Sequence, residues 1–274
     1  MFIIIFVYVI KMNIVFLFCG QCRTFPFPLS GEFGVLQANI LESYNKNLFT
    51  EEFKNSCNYK IYIATDDIHL GNTISYFGHN IGNIHLLDTN CFLKNINTPI
   101  KSIETCMNEY NNNPDWSQGY AKCDGSIDQH YKLLQCYNLF INDSTSSINR
   151  ENCDFIVRIR PDCAFTMNIL DVLKNFEENP KLEIIMGWDV FAIGKPKIME
   201  TYFTGLNNKY GKYRYQTPVP DVPPVMLDYN MNDKTRWCYA AERQLFEMIF
   251  EYCYNNNLDL HESIMSLACV GKVM

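Results

Sequence analysis

Residues 154–162 read Asp-Phe-Ile-Val-Arg-Ile-Arg-Pro-Asp, an apolar run that carries two arginines, a proline and a carboxylate at its end. In a strand, alternate side chains share a face, so Arg158 and Arg160 point the same way and Asp162 lies just beyond them. Two guanidiniums beside one carboxylate suit a site that handles a diphosphate, directly or through a divalent ion. An Arg–Asp ion pair that locks a strand end is the structural alternative. A second chemical group is Cys19-Gly20-Gln21-Cys22-Arg23, a C-x-x-C after an apolar run. In thiol redox proteins the first cysteine of such a motif opens a helix that lowers its pKa. Here Pro26 and Pro28 follow and would break that helix. Two packed cysteines beside a polar turn are the plainer reading.

The elements that must position these groups follow from periodicity. Ile14–Cys19 is a continuous apolar run ending at Gly20, the pattern of a strand buried on both faces. Phe33, Leu36, Ile40, Tyr44 and Leu48 have helical spacing. Strands are expected at 59–64, 84–87, 155–160 and 183–186. Helices are expected over 169–177, 196–206 and 240–254, and near residues 100–110. A further helix presents Ile127, Tyr131, Leu134, Asn138 and Ile141 along one face. Residues 111–125 and the proline-rich 215–224 read as loops. Strands alternating with helices predict an α/β/α sandwich around a mostly parallel sheet, in which ligands bind at the carboxyl ends of strands. The groups placed there are Gln21 and Arg23, Asp66 and Asp67, Arg160 and Asp162, and Trp188 with Asp189.

Composition narrows the function classes. The chain has 274 residues, 47% apolar and 19% charged, enough for a large core without disulfide or metal staples. Thirty acids against 23 bases give a net charge of −7, which argues against a nucleic-acid partner. The twelve cysteines include no second C-x-x-C to complete a four-ligand zinc site, and they read as buried apolar residues in a reducing, cytoplasmic compartment. The G-x-x-x-x-G-K-[ST] phosphate loop and the G-x-S-x-G elbow are both absent. Residues 2–10 are all apolar, but Lys11 interrupts the run at a cost of about 2.5–3.5 kcal/mol in a bilayer centre. They read as an N-terminal extension, residues 1–12, before a single domain over 13–274. Met12 is an alternative start, and a membrane association rests on residues 2–10 alone.

The ordered set Gly20-Gln21-x-Arg23, Tyr131–Tyr137, Arg158-Ile-Arg160-Pro-Asp162 and Trp188-Asp189-x-Phe191-Ala192-Ile193-Gly194, with Met199, Tyr202 and Glu242 after it, resembles the GT-A-type glycosyltransferases of polysaccharide and viral glycan loci. The resemblance spans roughly residues 13–260. It implies a GT-A-like (Rossmann-like) fold, a nucleotide-sugar donor and a glycan or other hydroxyl acceptor. It also implies a leaving diphosphate offset by Mn²⁺ or Mg²⁺ on a D-x-D motif, or by fixed basic side chains. The place of that motif falls on Arg160-Pro161-Asp162, with one carboxylate, so Asp162 is the candidate metal ligand. Gln21, Arg23, Asp66, Asp67, Arg158, Arg160 and Asp162 would hold the donor. Asp189, or Glu242 at a helix start, would take the acceptor proton. Trp188 and Trp237 are candidates for stacking on a sugar ring. The competing readings are a non-catalytic nucleotide- or glycan-binding module with a degenerate site, and a thiol protein using Cys19 and Cys22.

Overall fold

The computed structural model describes residues 11–20, 32–65, 76–86, 123–161, 163–187, 191–215 and 241–262. Its chain order is β1 (Met12–Cys19), α1 (Glu32–Asn47), α2 (Glu51–Ser56), β2 (Cys57–Thr65), β3 (Ile81–Leu86), α3 (Cys123–Ile141) and β4 (Phe155–Ile159). Then follow α4 (Ile169–Glu178), β5 (Leu182–Gly187), β6 (Phe191–Gly194), α5 (Pro196–Tyr215), α6 (Ala241–Asn255) and β7 (Asp259–Glu262). The strands form one sheet in the order β3-β2-β1-β4-β6-β5-β7. β6 runs antiparallel to both its neighbours, and every other pairing is parallel.

β1 lies near the middle, paired in parallel with β2 on one side and β4 on the other. Its residues from Ile14 to Cys19 are almost completely buried. Ile14, Phe16 and Phe18 face the layer of α1, α2 and α4, whereas Val15, Leu17 and Cys19 face the layer of α3, α5 and α6. A strand covered on both faces has no polar side, which is why the sequence shows an unbroken apolar run rather than alternation. On the first face Phe16 sits among Phe49, Phe53 and Tyr59, with ring centroids 5.1, 5.7 and 6.1 Å away. Such pairs add about 0.5–1.5 kcal/mol each beyond the area they bury.

Local signals set the helix starts. Thr50 Oγ1 accepts from the Phe53 amide and Asn168 Oδ1 from the Leu170 amide, which begin α2 and α4. The short strands β6 and β7 and the one-and-a-half-turn α2 were not expected from periodicity. β6 follows β5 after only three residues, with Gly187 paired to Phe191, so it must return antiparallel.

The face of α3 is a correction. The spacing pointed to Ile127, Tyr131, Leu134, Asn138 and Ile141. The side chains of Ile127 and Tyr131 lie outside those described; among the described ones Lys132, Leu133, Cys136, Tyr137 and Phe140 are buried, Leu134 and Asn138 are half-buried, and Ile141 is exposed. Apolar residues occur nearly all round this helix, so periodicity did not choose a face. The sheet chose the stripe with the small Cys136, whose thiol donates toward the carbonyl oxygens of Phe18 and Tyr62 at 3.6 Å.

Gly194, at the end of β6, lies where the chain passes closest to β5. A Cβ there would meet the Glu183 carbonyl oxygen at 2.7 Å and Met199 Sδ at 3.1 Å. The nearer contact is backbone and cannot swing aside. Gly194→Ala is therefore expected to destabilise the fold by about 1–3 kcal/mol. A lower urea midpoint with an unchanged slope is the result to look for, and an unchanged midpoint would show that the β5–β6 spacing is adjustable.

Candidate active site at the carboxyl edge of the sheet

Three neighbouring strands end together. Phe18 is in register with Ile159, and Cys19 with Ala64, so Gly20, Thr65 and Arg160 leave the sheet side by side. The Gly20 amide donates to the Ala64 carbonyl at 3.2 Å. Gly20 has φ +137°, a conformation that side-chain-bearing residues avoid. A Cβ there would lie 3.5 Å from Arg160 Cγ and 3.6 Å from Pro161 Cδ. The first loop therefore starts beside the end of β4, one side-chain atom's width away. Phe191 of β6 pairs with Ile159, which brings the β5–β6 connection to the same edge.

Helix α1 fastens the turn after β4. The Tyr44 hydroxyl donates toward the carbonyl oxygens of Arg160 and Pro161, both at 3.4 Å. Asn47 donates to the Phe165 carbonyl, and the Phe165 amide donates to Ser43 Oγ at 2.9 Å. Three residues spaced along one helix thus hold Arg160, Pro161 and Phe165. Tyr44 was visible in the sequence only as an apolar position of the helical stripe, and Ser43 and Asn47 carried no signal.

The expected site residues divide as follows. Gln21, Arg23, Asp66, Asp67, Asp162, Trp188, Asp189 and Trp237 lie outside the described residues, as do Cys22 and the side chain of Glu242. For all but Trp237, described chain adjoins them: Gly20, Thr65, Pro161 with Cys163, Gly187 with Phe191, and the first turn of α6. Arg158 and Arg160 are described, and they differ in depth. Arg160 is partly exposed at the edge. Arg158 is 1% exposed, among the side chains between the sheet and α3.

The guanidinium of Arg158 is the anomaly of the core. Its Nε and Nη1 atoms are buried and have no hydrogen-bond partner. Its register neighbours are Leu17 and Ala192, which supply no polar group. Leaving one member of a buried ion pair alone typically costs about 3–5 kcal/mol, so such a group persists where something anionic reaches it. Close by is the Cys136 thiol, with the Cys19 thiol beside it. Burial first, and then the neighbouring Cys19 thiol, push the Cys136 thiol well above its ordinary pKa, against the opposing pull of Arg158.

Sequence reasoning passed over Lys132. It is 3% exposed and lies one turn before Cys136 on the same face of α3. Later residues of α3 adjoin Tyr62, whose hydroxyl donates to Asp143 at 2.9 Å, and the chain then reaches the amino end of β4. The helix therefore runs from the carboxyl edge downward, and Lys132 is nearer that edge than Cys136. The available signal was a lysine inside the stripe Leu133, Cys136, Tyr137 and Phe140, where charge is not expected.

A cavity of about 680 Å³ opens at the opposite, amino end of the strands, lined in part by Lys11, Lys54, Lys60, Tyr59, Tyr76 and His79. Lys54 pairs with Glu51, and the other basic groups are exposed or half-exposed. The loops that carry the expected residues start from the other end of the sheet. Among the described residues no group of three His, Cys, Asp or Glu side chains is arranged to hold a metal ion. No described helix is long and apolar enough to cross a membrane.

The sheet is mostly parallel with β6 alone reversed and carries helices on both faces, so the described elements form a Rossmann-like α/β/α sandwich. No family model matches the chain, and no curated protein matches it. Among solved structures it is similar to the apo form of mouse xyloside xylosyltransferase 1, with 7% identity, 93% of this chain and 84% of that one covered, and a TM-score of 0.44. It is also similar to a nucleotide-diphospho-sugar transferase, described as putative, from Desulfovibrio desulfuricans G20. There the identity is 8%, the coverage 92% and 80%, and the TM-score 0.39.

The Cys19–Cys136 contact makes a test of the thiol reading. The six cysteines whose side chains are described are free and buried. With its pKa raised, Cys136 is a protonated thiol at pH 8 and a poor nucleophile. Native protein treated with iodoacetamide at that pH should keep Cys136 unmodified in peptide mass spectra, and urea-unfolded protein should not. Alkylation at equal rates in the two states would return this pair to consideration as reactive thiols.

Proposed function

We propose that the chain is a glycosyltransferase that moves a sugar from a nucleoside-diphosphate sugar to a hydroxyl group of a glycan or similar acceptor. The observation that carries this reading is the meeting of Gly20 with Arg160 and Pro161 at the carboxyl edge, braced from behind by α1. It sets a cationic strand end against the start of the first loop. In a parallel α/β sheet that is where a nucleotide binds.

In this proposal Gln21 and Arg23 contact the nucleotide from the first loop, and Asp66 and Asp67 from the loop after β2. Arg160 and Asp162 face the diphosphate, with Arg158 beneath them. Asp189 takes the proton of the acceptor hydroxyl, and Glu242 is the alternative base. The hydroxyl oxygen then attacks the anomeric carbon as the bond from that carbon to the diphosphate oxygen breaks. The diphosphate leaves with the bonding electrons, and inversion follows if attack is from the opposite face. Positive groups fixed near the leaving oxygens lower the barrier because they need no reorganisation as charge develops.

The described side chains at this strand end, Arg158 and Arg160, are cations and hydrogen-bond donors. They suit an anion, and they repel a divalent cation at the same place. In this proposal the protein's own cationic side chains offset the charge of the leaving diphosphate. Asp162 keeps its place as a ligand for the donor.

A thermal-shift panel of UDP, GDP, dTDP and ADP tests the reading. One base should stand out, and a ligand at 100 times its dissociation constant adds about 2.7 kcal/mol of stability. Asp189→Asn should keep that shift and lose turnover about 10²–10⁴-fold, as expected of a lost general base. Undiminished turnover would pass the role to Glu242. No stabilisation by any nucleotide would overturn the transferase reading.

A further inference from the structure

We infer that the cavity at the amino end of the strands is a second binding site, one that takes a sugar phosphate. The inference does not depend on the transferase reading, because none of the cavity's residues belongs to the candidate active site. The two lie at opposite ends of β2. Lys60 lines the cavity, Thr65 leaves the sheet beside Gly20, and strand residues at about 3.3 Å each put them about 16 Å apart.

The cavity holds about 680 Å³, within the range of small-molecule sites. Its lining carries Lys11, Lys54, Lys60 and His79, and no aspartate or glutamate. Three acids lie within electrostatic reach of lining residues, and each is already engaged. Glu51 pairs with Lys54, Asp143 accepts from Tyr62 and Thr145, and Asp154 accepts from the Asn13 amide. Among the described residues no ion pair includes Lys11, Lys60 or His79. The half-buried Tyr59 adds a fixed donor. Its oxygen accepts from Asn80 Nδ2 at 2.8 Å, which directs the hydroxyl hydrogen elsewhere and leaves it for an acceptor.

Lysines on an open face alone would attract any counterion. Here the rim of donors stands above buried rings, Phe49 and Phe77, with Phe49 stacked on Tyr59 at 5.5 Å. That combination suits a ligand with a ring-shaped body and an acceptor-rich head. A phosphomonoester brings about 1.5–2 negative charges and three strong acceptor oxygens, more than a carboxylate offers to the same donors.

Calorimetric titration of the full chain should show saturable binding of glucose 6-phosphate, and weaker binding of inorganic phosphate and of glucuronate. Lys60→Gln and His79→Gln should each weaken glucose 6-phosphate about three- to tenfold, while the ligand-free proteins melt at the wild-type temperature. Lys46→Gln, an exposed lysine of α1 outside the cavity, should leave the affinity unchanged. In amide NMR spectra residues 58–60 and 79–80 should shift on titration, and Gly20 and Arg160 should not.

No saturable binding, wild-type affinity in both cavity variants, or an equal loss in Lys46→Gln would overturn the inference. The last would mean diffuse attraction to a basic surface. Shifts confined to Gly20 and Arg160 would move the phosphate to the candidate active site and overturn it as well. Inorganic phosphate or glucuronate bound as tightly as glucose 6-phosphate would remove the sugar phosphate as the ligand. A nucleoside diphosphate titrated into Lys60→Gln keeps the two proposals apart. It should behave as with the wild-type chain whether or not the transferase reading holds, and weaker binding would overturn the separateness of the sites.

Discussion

The parallel pairing of β1 between β2 and β4 is the constraint from which the rest follows. Parallel strands cannot be joined by tight turns, so each connection must cross a face of the sheet. The helices made by those crossings cover both faces, and β1 must be apolar on both sides. Burying each of its larger side chains contributes about 1.5–3 kcal/mol, so the strand that directs the topology also anchors the core. Parallel strands in register also end on one line. Gly20, Thr65 and Arg160 are neighbours for that reason, and no further interaction is needed to gather the loops that follow them.

What the core leaves unsettled, α1 settles. A turn that contains Pro161 and follows a short strand has few backbone partners of its own. Tyr44, Ser43 and Asn47 take up its carbonyl and amide groups from behind. In front, Gly20 lies beside Arg160 and Pro161, where a Cβ would be at ordinary contact distance. A rigid back and a close-fitting front give a side chain at this turn a defined direction, which a catalytic or binding group requires. The φ of +137° at Gly20 is one that glycine adopts freely and other residues avoid.

The elements with strong periodicity were legible in the sequence: β1, β2, β4, α1 and α4 stand close to where spacing put them. Those fixed by tertiary contact were not. β6 has four residues and exists because Gly187 and Phe191 pair across a short return. The buried face of α3 was decided by what fits on β1 and β2, since apolar residues occur nearly all round that helix. The site followed the same division. Residue type and strand alternation placed Arg158 and Arg160 on one face at one edge. Alternation gives a face and not a depth, and depth separates the half-exposed Arg160 from the buried Arg158. Lys132 was hidden for the complementary reason, because a lone lysine in a helix is read as solvated until the neighbouring strand covers it.

In a chain of net charge −7, the buried guanidinium of Arg158 is a local feature that the overall charge does not reveal. The negative surface disfavours diffuse polyanions such as nucleic acid. The buried guanidinium sits in a medium where its attraction for a phosphate oxygen is far less screened than at the surface. Stability alone would favour an apolar residue of similar volume at position 158, flanked as it is by Leu17 and Ala192. An arginine with unmet donors at that depth lowers the stability of the empty protein and raises its affinity for whatever meets those donors. That exchange is expected of a preorganised electrostatic site, in which the protein bears the cost of placing the charge before the ligand arrives.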